Sequence, residues 1–307
     1  MNSTDIILHH FDASPFAEKV RLALGLKGLS WRSVEIPMVM PKPMLTALTG
    51  GYRKTPVMQI GADIYCDTQG IALELERRFP QPTLFPDNSE ALAMVLSHWS
   101  DNAFFRPGAA LSMATNAGLP EDVLRDREAF FTFLDFDSMH ARIPHFFAQF
   151  RAQLQLLESM LEDGRSYLLG DRPGWVDVLA YFPLWMARGN IAATAELVAP
   201  LQVLQDWEAR MQSLGHGHCQ TVSAEDALQC AANSISRSTA WVESSAWSAD
   251  LQAGAEVIVT PEDYGAVPVE GTLLRLSQRD IAIQRKENAL GEITVHFPRT
   301  GYEVKKK

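Results

Sequence analysis

The chain has 307 residues, of which 47% are hydrophobic, and a formal net charge of -10 at pH 7. Its length allows two or three globular domains, and its acidic balance argues against general affinity for nucleic acid. No apolar run approaches the roughly 18 to 20 residues that span a bilayer, and the start lacks the basic and apolar segments of a secretory signal. We therefore expect a cytoplasmic protein without a membrane anchor. Three cysteines, Cys66, Cys219 and Cys230, are too few and too scattered for a disulfide framework or a metal site.

The N-terminal region, residues 1–83, has the pattern of a mixed α/β domain. The predicted elements are strands at 6–8, 31–36, 57–60 and 63–65, one helix that begins at Ser14 and another that begins at Asp67 or Thr68. A strand, a helix and a second strand in this order favour a parallel strand pair. The segment 37–53 carries several proline and glycine breaks and is predicted to be a loop with at most a short helix.

The stretch that begins at Ser14 is predicted to start the first helix. Ser14 suits the N-cap, Pro15 suits the first helical position, and Gly28 supplies a left-handed stop. The apolar side chains with helical spacing are Phe16, Val20, Ala23 and Leu24. The local sequence therefore explains Ser14 as a helix cap, without any catalytic role.

Three motifs occur here in an order found in a known family. They are Ser14-Pro15-Phe16 with Lys19-Val20-Arg21, then Thr55-Pro56-Val57, then Asp67-Thr68. This order resembles the N-terminal, thioredoxin-like domain of the glutathione transferase superfamily, in its serine-type, omega- and tau-like form. The resemblance covers about the first 215 residues. It implies a glutathione-binding α/β domain over 1–83 and an all-helical domain over 84–220.

The resemblance also implies where glutathione binds. Pro56 would be cis and would present the backbone of Val57 to the cysteinyl amide. Asp67 and Thr68 would hold the γ-glutamyl group, since a helix N terminus offers N–H groups to a carboxylate and Asp67 can pair with an ammonium. The candidates for the glycine carboxylate are Lys42 and Lys54.

The role implied for Ser14 is to ionise the glutathione thiol. A free thiol has a pKa of about 8.5, so only a few per cent of it is thiolate at neutral pH. A hydroxyl donor at a helix start, helped by the helix dipole, would stabilise the thiolate. His10, just upstream, is the rival activator. Serine cannot form a mixed disulfide, which favours conjugation, isomerisation or hydrolytic thiol chemistry over thiol–disulfide exchange.

The middle region, residues 84–220, lacks strand alternation and is predicted to be helical. Its apolar faces are Leu92, Val95, Leu96 and Trp99 on one helix, and Phe150, Leu154, Leu157 and Leu161 on another. The run from Gly170 to Asp177 resembles the family's G-D-x-P-[ST]-x-A-D helix start. Gly174 stands in place of the capping Ser or Thr, and Asp177 remains to bond back to the backbone. His216 and His218 are too isolated to indicate a metal site.

The family also implies an acceptor-substrate pocket in this region. The residues assigned to it are Trp99, Phe104, Phe105 and Arg106, with Met113 and Tyr181 as further candidates. The aromatic segment 118–144 is either a cover over the cleft or an extension of a dimer surface.

Beyond residue 240 the pattern changes to strand alternation. Five short strands are predicted, at 256–260, 272–276, 280–285, 292–297 and 302–304. They suggest a small β-barrel or roll over 240–307, and its near-neutral charge is not a nucleic-acid footprint. Two roles are open for it. It packs as a structural cover onto its own or a partner subunit, which we prefer, or it binds another protein.

The sequence therefore predicts a cytoplasmic, homodimeric glutathione transferase that uses glutathione as co-substrate and activates its thiol for attack on a small electrophile. No metal, nucleic acid or membrane is implied. The alternative is a non-catalytic protein of the same fold that binds a ligand or a protein partner. A thiol–disulfide oxidoreductase ranks third, because a serine occupies the expected nucleophile position.

Overall fold

The computed structural model describes residues 2–116, 118–243 and 250–307. The strands are β1 (Ile7–His10), β2 (Ser30–Glu35), β3 (Val57–Ile60), β4 (Asp63–Cys66), β5 (His218–Thr221), β6 (Trp241–Val242), β7 (Glu256–Pro261), β8 (Val269–Leu276), β9 (Asp280–Glu287), β10 (Gly291–Pro298) and β11 (Tyr302–Lys306). The helices are α1 (Pro15–Leu26), α2 (Pro43–Thr49), α3 (Thr68–Arg78), α4 (Glu90–Trp99), α5 (Phe105–Thr115), α6 (Glu121–Phe130), α7 (Ile143–Leu161), α8 (Trp175–Asn190), α9 (Thr194–Val198), α10 (Gln202–Ser213) and α11 (Ala224–Ala232). A π-helical turn, Ser100–Phe104, joins α4 to α5.

Packing divides the chain into two compact units, and neither is continuous in sequence. Unit 1 consists of the described residues within Met1–Asp12, Ser30–Glu74 and Cys219–Lys307. Unit 2 consists of those within Ala13–Leu29 and Leu75–His218. The strands lie in unit 1, apart from the first residue of β5, and unit 2 is helical. The predicted domains are continuous segments with limits at 83, 220 and 240. In the structure, by contrast, α1 clusters with the later helices, and β7 to β11 cluster with β1 to β4.

The N-terminal strands of unit 1 confirm the predicted topology. β1 pairs with β2 in parallel, with Ile7 opposite Arg32, and β3 pairs antiparallel with both β1 and β4. The β3–β4 hairpin turns at Gly61, whose φ of +61° favours a residue without a Cβ. The predicted short helix in the 37–53 loop is α2.

The C-terminal strands continue this same sheet. β10 pairs in parallel with β4, with Val295 opposite Ile64, and the Thr294 N–H donates to the Ala62 carbonyl at 2.9 Å. The strand order is β11-β7-β8-β9-β10-β4-β3-β1-β2-β5, and β6 pairs with β8. All five predicted strands are confirmed, and one hydrophobic core includes side chains from both ends of the chain. Without β10, β4 would leave unpaired backbone groups at a sheet edge.

Asp63 stabilises the junction between β4 and β10 through hydrogen bonds. Its buried carboxylate lies 3.0 Å from His296 Nε2 and accepts hydrogen bonds from the hydroxyls of Ser236 at 2.7 Å and Ser238 at 3.0 Å. Burial alone would raise the pKa of Asp63, but these hydrogen bonds and the nearby imidazole lower it to about 2. Ser238, His296 and Asp63 do not form a catalytic triad. Both Ser238 Oγ and Asp63 Oδ1 contact the same imidazole nitrogen, whereas a triad needs opposite nitrogens.

Unit 2 packs α1 against α8 through aromatic side chains. The ring of Phe16 lies 4.8 Å from that of Phe105 and 5.1 Å from that of Phe182. The Lys19 ammonium is fully buried, forms an ion pair with Asp101, and lies 4.1 Å from the Phe182 ring centroid. A buried charge is stable only when it is paired, so the buried Lys19 ammonium depends on the Asp101 carboxylate.

The predicted face of α7 is confirmed, and the predicted face of α4 is wrong. The α7 side chains Phe150, Leu154, Leu157 and Leu161 are all buried. On α4, Leu92 and Val95 are 46% and 70% exposed, and the buried residues are Ala93 and Ser97. Small residues let α4 approach a neighbouring helix closely, and a pattern of large apolar residues does not reveal such a face.

Gly174 is required by the contact that begins α8. A Cβ at this position would lie 2.7 Å from Pro86 Cδ and 3.1 Å from the Leu84 carbonyl oxygen. A Ser or Thr cap therefore has no room. Asp177 supplies the remaining half of the motif as predicted, because its Oδ2 accepts the Gly174 N–H at 3.0 Å.

Candidate functional site

Ser14 lies in unit 2 as the N-cap of α1. Its side-chain oxygen accepts a hydrogen bond from the Ala17 N–H at 3.2 Å, and the residue is 3% exposed. The cap predicted from the sequence is thus confirmed. In this bond the hydroxyl is the acceptor, so its own hydrogen remains able to donate to an anion near the helix start.

The charged residues that follow Ser14 serve the packing of unit 2. Arg21 and Glu18 form a buried ion pair at 2.8 Å, and His216 Nε2 lies 3.0 Å from the other oxygen of Glu18. Burial raises the pKa of Glu18, but the hydrogen bond from His216 and the charge of Arg21 outweigh it and leave the pKa lowered. Glu18 therefore remains ionised, and His216 has a structural contact.

The start of α3 in unit 1 presents a carboxylate next to a helix N terminus. Thr68 is buried, and Asp67 is partly exposed with a left-handed φ of +74°. Asp67 Oδ1 accepts the Gln69 N–H at 2.9 Å, and Asp67 Oδ2 accepts the Tyr302 hydroxyl at 3.0 Å. Both carboxylate oxygens are therefore held in place, and each retains a lone pair for a further donor.

The turn before β3 has the geometry implied by the resemblance. The Thr55–Pro56 peptide bond is cis. Val57 lies between His9 on β1 and Cys66 on β4, while Thr55 lies just outside the strand. The ammonium of buried Lys42 donates to the Thr55 hydroxyl at 3.1 Å. The role of the Val57 backbone in ligand binding stays a prediction.

Lys54 has an acidic partner from the C-terminal strands. Its ammonium forms an ion pair with Asp263 and lies 4.8 Å from the centroid of the Tyr264 ring. A ligand carboxylate at Lys54 would have to compete with the Asp263 carboxylate.

The rival activator and the nearby thiol are both packed inside unit 1. His10 is 2% exposed, with Nε2 at 2.9 Å from the Ser33 hydroxyl and its ring 5.5 Å from that of Trp31. Cys66 is fully buried, and burial together with the charge of Asp67 raises its thiol pKa well above the usual value. Cys66 therefore stays a protonated thiol at neutral pH, which is unsuited to disulfide exchange.

The residues assigned to the acceptor pocket lie in one aromatic region of unit 2. Phe104 and Phe105 are buried, and their rings pack against Phe150 at 5.1 Å and Phe182 at 5.8 Å respectively. Trp99 and Arg106 are partly exposed. The pocket stays a prediction, with Trp99 and Arg106 as its more accessible members.

Sequence reasoning missed the residues that the C-terminal strands bring to this region of unit 1. They are Asp263 and Tyr302, and the hydroxyl of Tyr302 lies 3.2 Å from that of Tyr52, which precedes β3. Tyr302 could be placed on the inner face of its strand from the alternation with Glu303, but no local signal pairs it with Asp67.

Across residues 2–116, 118–243 and 250–307, no group of three or more His, Cys, Asp or Glu side chains could hold a metal ion. Within the same residues, no helix is long and apolar enough to cross a bilayer.

Comparison with known proteins identifies the family. The family model "Glutathione S-transferase, N-terminal domain" matches residues 8–83, and "Glutathione S-transferase, C-terminal domain" matches residues 140–210. The crystal structure of a GST-like protein from Pseudomonas syringae is 35% identical with a TM-score of 0.80, and the alignment covers 98% of this chain and 100% of that one. The chain belongs to the glutathione S-transferase superfamily. Its N-terminal domain is thioredoxin-like and its second domain is the helical domain of that superfamily.

More distant glutathione S-transferases match in part. Glutathione S-transferase U4 of Arabidopsis thaliana is 26% identical over 133 residues, which are 43% of this chain and 59% of that relative. A rice enzyme solved in complex with glutathione is 20% identical, with a TM-score of 0.51, and the alignment covers 74% of this chain and 94% of that one. At that identity the rice structure supports the fold alone. The family models end at residue 210, so β7 to β11 are an addition to the two glutathione S-transferase domains.

Proposed function

We propose that this chain is a glutathione transferase that activates the thiol of glutathione for attack on a small electrophile. The observation that carries the proposal is the start of α3. There a partly exposed Asp67 carboxylate and a buried Thr68 stand at the N terminus of an eleven-residue helix. Helix N–H groups suit the α-carboxylate of a γ-glutamyl group, and the Asp67 side chain suits its ammonium. Membership of the superfamily supports the same assignment.

Ser14 is the proposed activator of the thiol. Its hydroxyl hydrogen is not used by the cap, and a helix N terminus favours negative charge at this position. Lowering a thiol pKa by two units requires about 2.7 kcal/mol of extra stabilisation of the thiolate. A hydrogen bond to an anion together with the helix dipole is of that size. Lys42 and Lys54 are the proposed partners of the glycine carboxylate, and Trp99 and Arg106 the proposed contacts of the electrophile.

Titration of glutathione by calorimetry tests the proposal, with the thiolate absorbance of bound glutathione followed against pH. Wild type and Ser14→Thr are expected to bind glutathione and to ionise its thiol near neutrality. Ser14→Asp keeps a helix-capping oxygen but has no hydroxyl hydrogen, so it is expected to lose the ionisation. Failure of the wild-type chain to bind glutathione would overturn the proposed function.

The proposed enzyme is a cytoplasmic homodimer. Cys66 and Cys230 are free thiols, which supports a reducing compartment. On α4, Leu92 and Val95 present an exposed apolar strip that suits a second copy of unit 2. Light scattering on the eluted protein should find a dimer for wild type and a monomer for Val95→Glu. Leu156→Glu, at a similarly exposed position on α7, is the matched control and should remain dimeric.

The second candidate function is non-catalytic binding to a partner. It is favoured by the ion pair of Lys54 with Asp263, which engages a side chain assigned to the ligand. Asp263→Asn separates a chain that binds glutathione from a non-catalytic one that does not. In a transferase the released Lys54 should bind glutathione more tightly, with no gain for the glycine ethyl ester of glutathione. In a non-catalytic protein that does not bind the tripeptide, neither compound should bind before or after the change.

A further inference from the structure

Three polar side chains from distant parts of unit 1 form a short hydrogen-bonded series. The Tyr302 hydroxyl donates to Asp67 Oδ2 at 3.0 Å, and the hydroxyls of Tyr52 and Tyr302 are 3.2 Å apart. An ionised carboxylate only accepts hydrogen bonds, and a phenol has one hydrogen to give. Tyr302 therefore gives its hydrogen to Asp67, and Tyr52 gives its own to Tyr302.

The two phenols are fixed in the core and remain donors. Tyr52 and Tyr302 are 2% and 3% exposed, and their rings lie 5.9 Å and 5.3 Å from the ring of Phe297. Burial, followed by the negative charge of Asp67, raises the pKa of both phenols well above 10. Neither hydroxyl loses its hydrogen at physiological pH.

Asp67 is held from two directions by groups of different origin. The Gln69 N–H at the start of α3 fixes Oδ1, and Tyr302 at the beginning of β11 fixes Oδ2. A carboxylate that is oriented before a ligand arrives loses less conformational freedom on binding, and this increases affinity. The oxygen that Tyr302 contacts keeps one lone pair for an incoming cationic group.

We propose that Tyr302 is a positioning residue that orients Asp67 to receive the α-ammonium group of a γ-glutamyl ligand. This inference rests on the proposed function and extends it, because it makes the C-terminal strands part of the glutathione site within the same chain. Tyr302 belongs to the segment outside the two family domains, so the site of this protein is not complete within its first 210 residues.

The test compares two ligands on Tyr302→Phe, which keeps the buried ring and removes only the hydroxyl. Calorimetry is run with glutathione and with its des-amino analogue, in which a glutaryl group replaces the γ-glutamyl group. We expect Tyr302→Phe to weaken glutathione binding by roughly tenfold, the size of one hydrogen bond to a charged group. The affinity for the analogue, which has no ammonium for Asp67 to bind, should not change.

Two further variants calibrate the result. Tyr52→Phe leaves the Tyr302 to Asp67 bond in place, so it should weaken glutathione binding by less than Tyr302→Phe. Asp67→Asn should remove most of the preference for glutathione over the analogue. Equal weakening of both ligands by Tyr302→Phe would mean a structural role and would overturn the inference, as would unchanged binding of both. A wild-type chain that binds neither ligand overturns the proposed function itself, a result that differs from either of these.

Discussion

Ser14 combines a structural contact with its proposed chemical role, and the two are separable by substitution. Its oxygen satisfies one of the N–H groups that a helix leaves unpaired at its start. Ser14→Ala should lower the free energy of unfolding by about 1 kcal/mol, the usual effect of losing an N-cap. Ser14→Asp should be close to wild type in the same urea titration, because Asp is an equally good cap. If Ser14→Asp lowered the free energy of unfolding as much as Ser14→Ala, the helix cap would not be the source of the stability that Ser14 contributes.

His9 makes the stability of unit 1 depend on pH. The ring is buried in β1, and its Nε2 lies 2.8 Å from Gln59 Oε1. Burial lowers the pKa of His9 from 6.5 to about 4, against the smaller, opposite effect of the Gln59 hydrogen bond. Between those values the unfolded chain binds a proton that the folded chain does not. The contribution of His9 to the free energy of unfolding is therefore fully present above pH 6.5. It is lost as the pH falls towards 4, and the loss amounts to about 3 kcal/mol.

The contribution of His9 is measured as a difference between two proteins. His9→Gln keeps an N–H donor for Gln59 but has no titrating ring. Urea unfolding of both proteins at pH 7.5 and pH 4.5 should show a larger loss in wild type than in the variant. Equal losses would assign the pH dependence to other groups.

At the scale of elements, the junction of β4 and β10 carries the connection between the two ends of the chain. Asp63 is the polar centre of that junction, since its carboxylate holds His296 on β10 and the hydroxyls of the 236–238 segment. Asp63→Asn should lower the free energy of unfolding by about 2 kcal/mol, because it weakens several hydrogen bonds to a buried charge. Hydrogen exchange should show that protection falls in β4 and β10 together.

Glu292→Gln is the matched control for Asp63. Glu292 lies on β10, the strand that pairs with β4, is exposed, and accepts a hydrogen bond from Gln284 at 3.2 Å. Its change should leave both stability and exchange close to wild type. Exchange that rises in β10 alone in Asp63→Asn would contradict the role of Asp63 at the junction.

Local pattern predicted most of the elements and the pairing of the N-terminal strands, but it missed the short strands β5 and β6 and the pairing of β10 with β4. The alternation of Val257 and Val259 identifies β7, and the capping residues identify α1, because such signals depend on neighbours in sequence. The parallel pairing of β10 with β4 has no such signal, since parallel partners leave no turn between them. The buried face of α4 was predicted wrongly for a similar reason. Its packing depends on the small residues Ala93 and Ser97, which carry no hydrophobic signal.

At the scale of the whole molecule, the candidate site in unit 1 depends on contacts across most of the sequence. Asp67 and Tyr302 are 235 positions apart, and Lys54 and Asp263 are 209 apart. The motifs that predicted Asp67, Thr68 and the cis bond at Pro56 lie within the first 83 residues. They resemble a family whose domain models do not include β11, so neither motif nor family could indicate Tyr302.

The same contacts predict that unit 1 cannot fold without the C-terminal strands. A chain that ends after Ala240 would lose β10, leaving β4 as a sheet edge, and would expose core side chains such as Ile64 and Cys66. An unpaired edge next to an exposed core favours aggregation. We expect this truncated chain to be insoluble, or to show rapid hydrogen exchange throughout β1 to β4. Removal of Lys306 and Lys307 alone, both exposed, should have neither effect. A truncated chain that stayed soluble, protected in β1 to β4 and able to bind glutathione would show instead that β7 to β11 serve another partner.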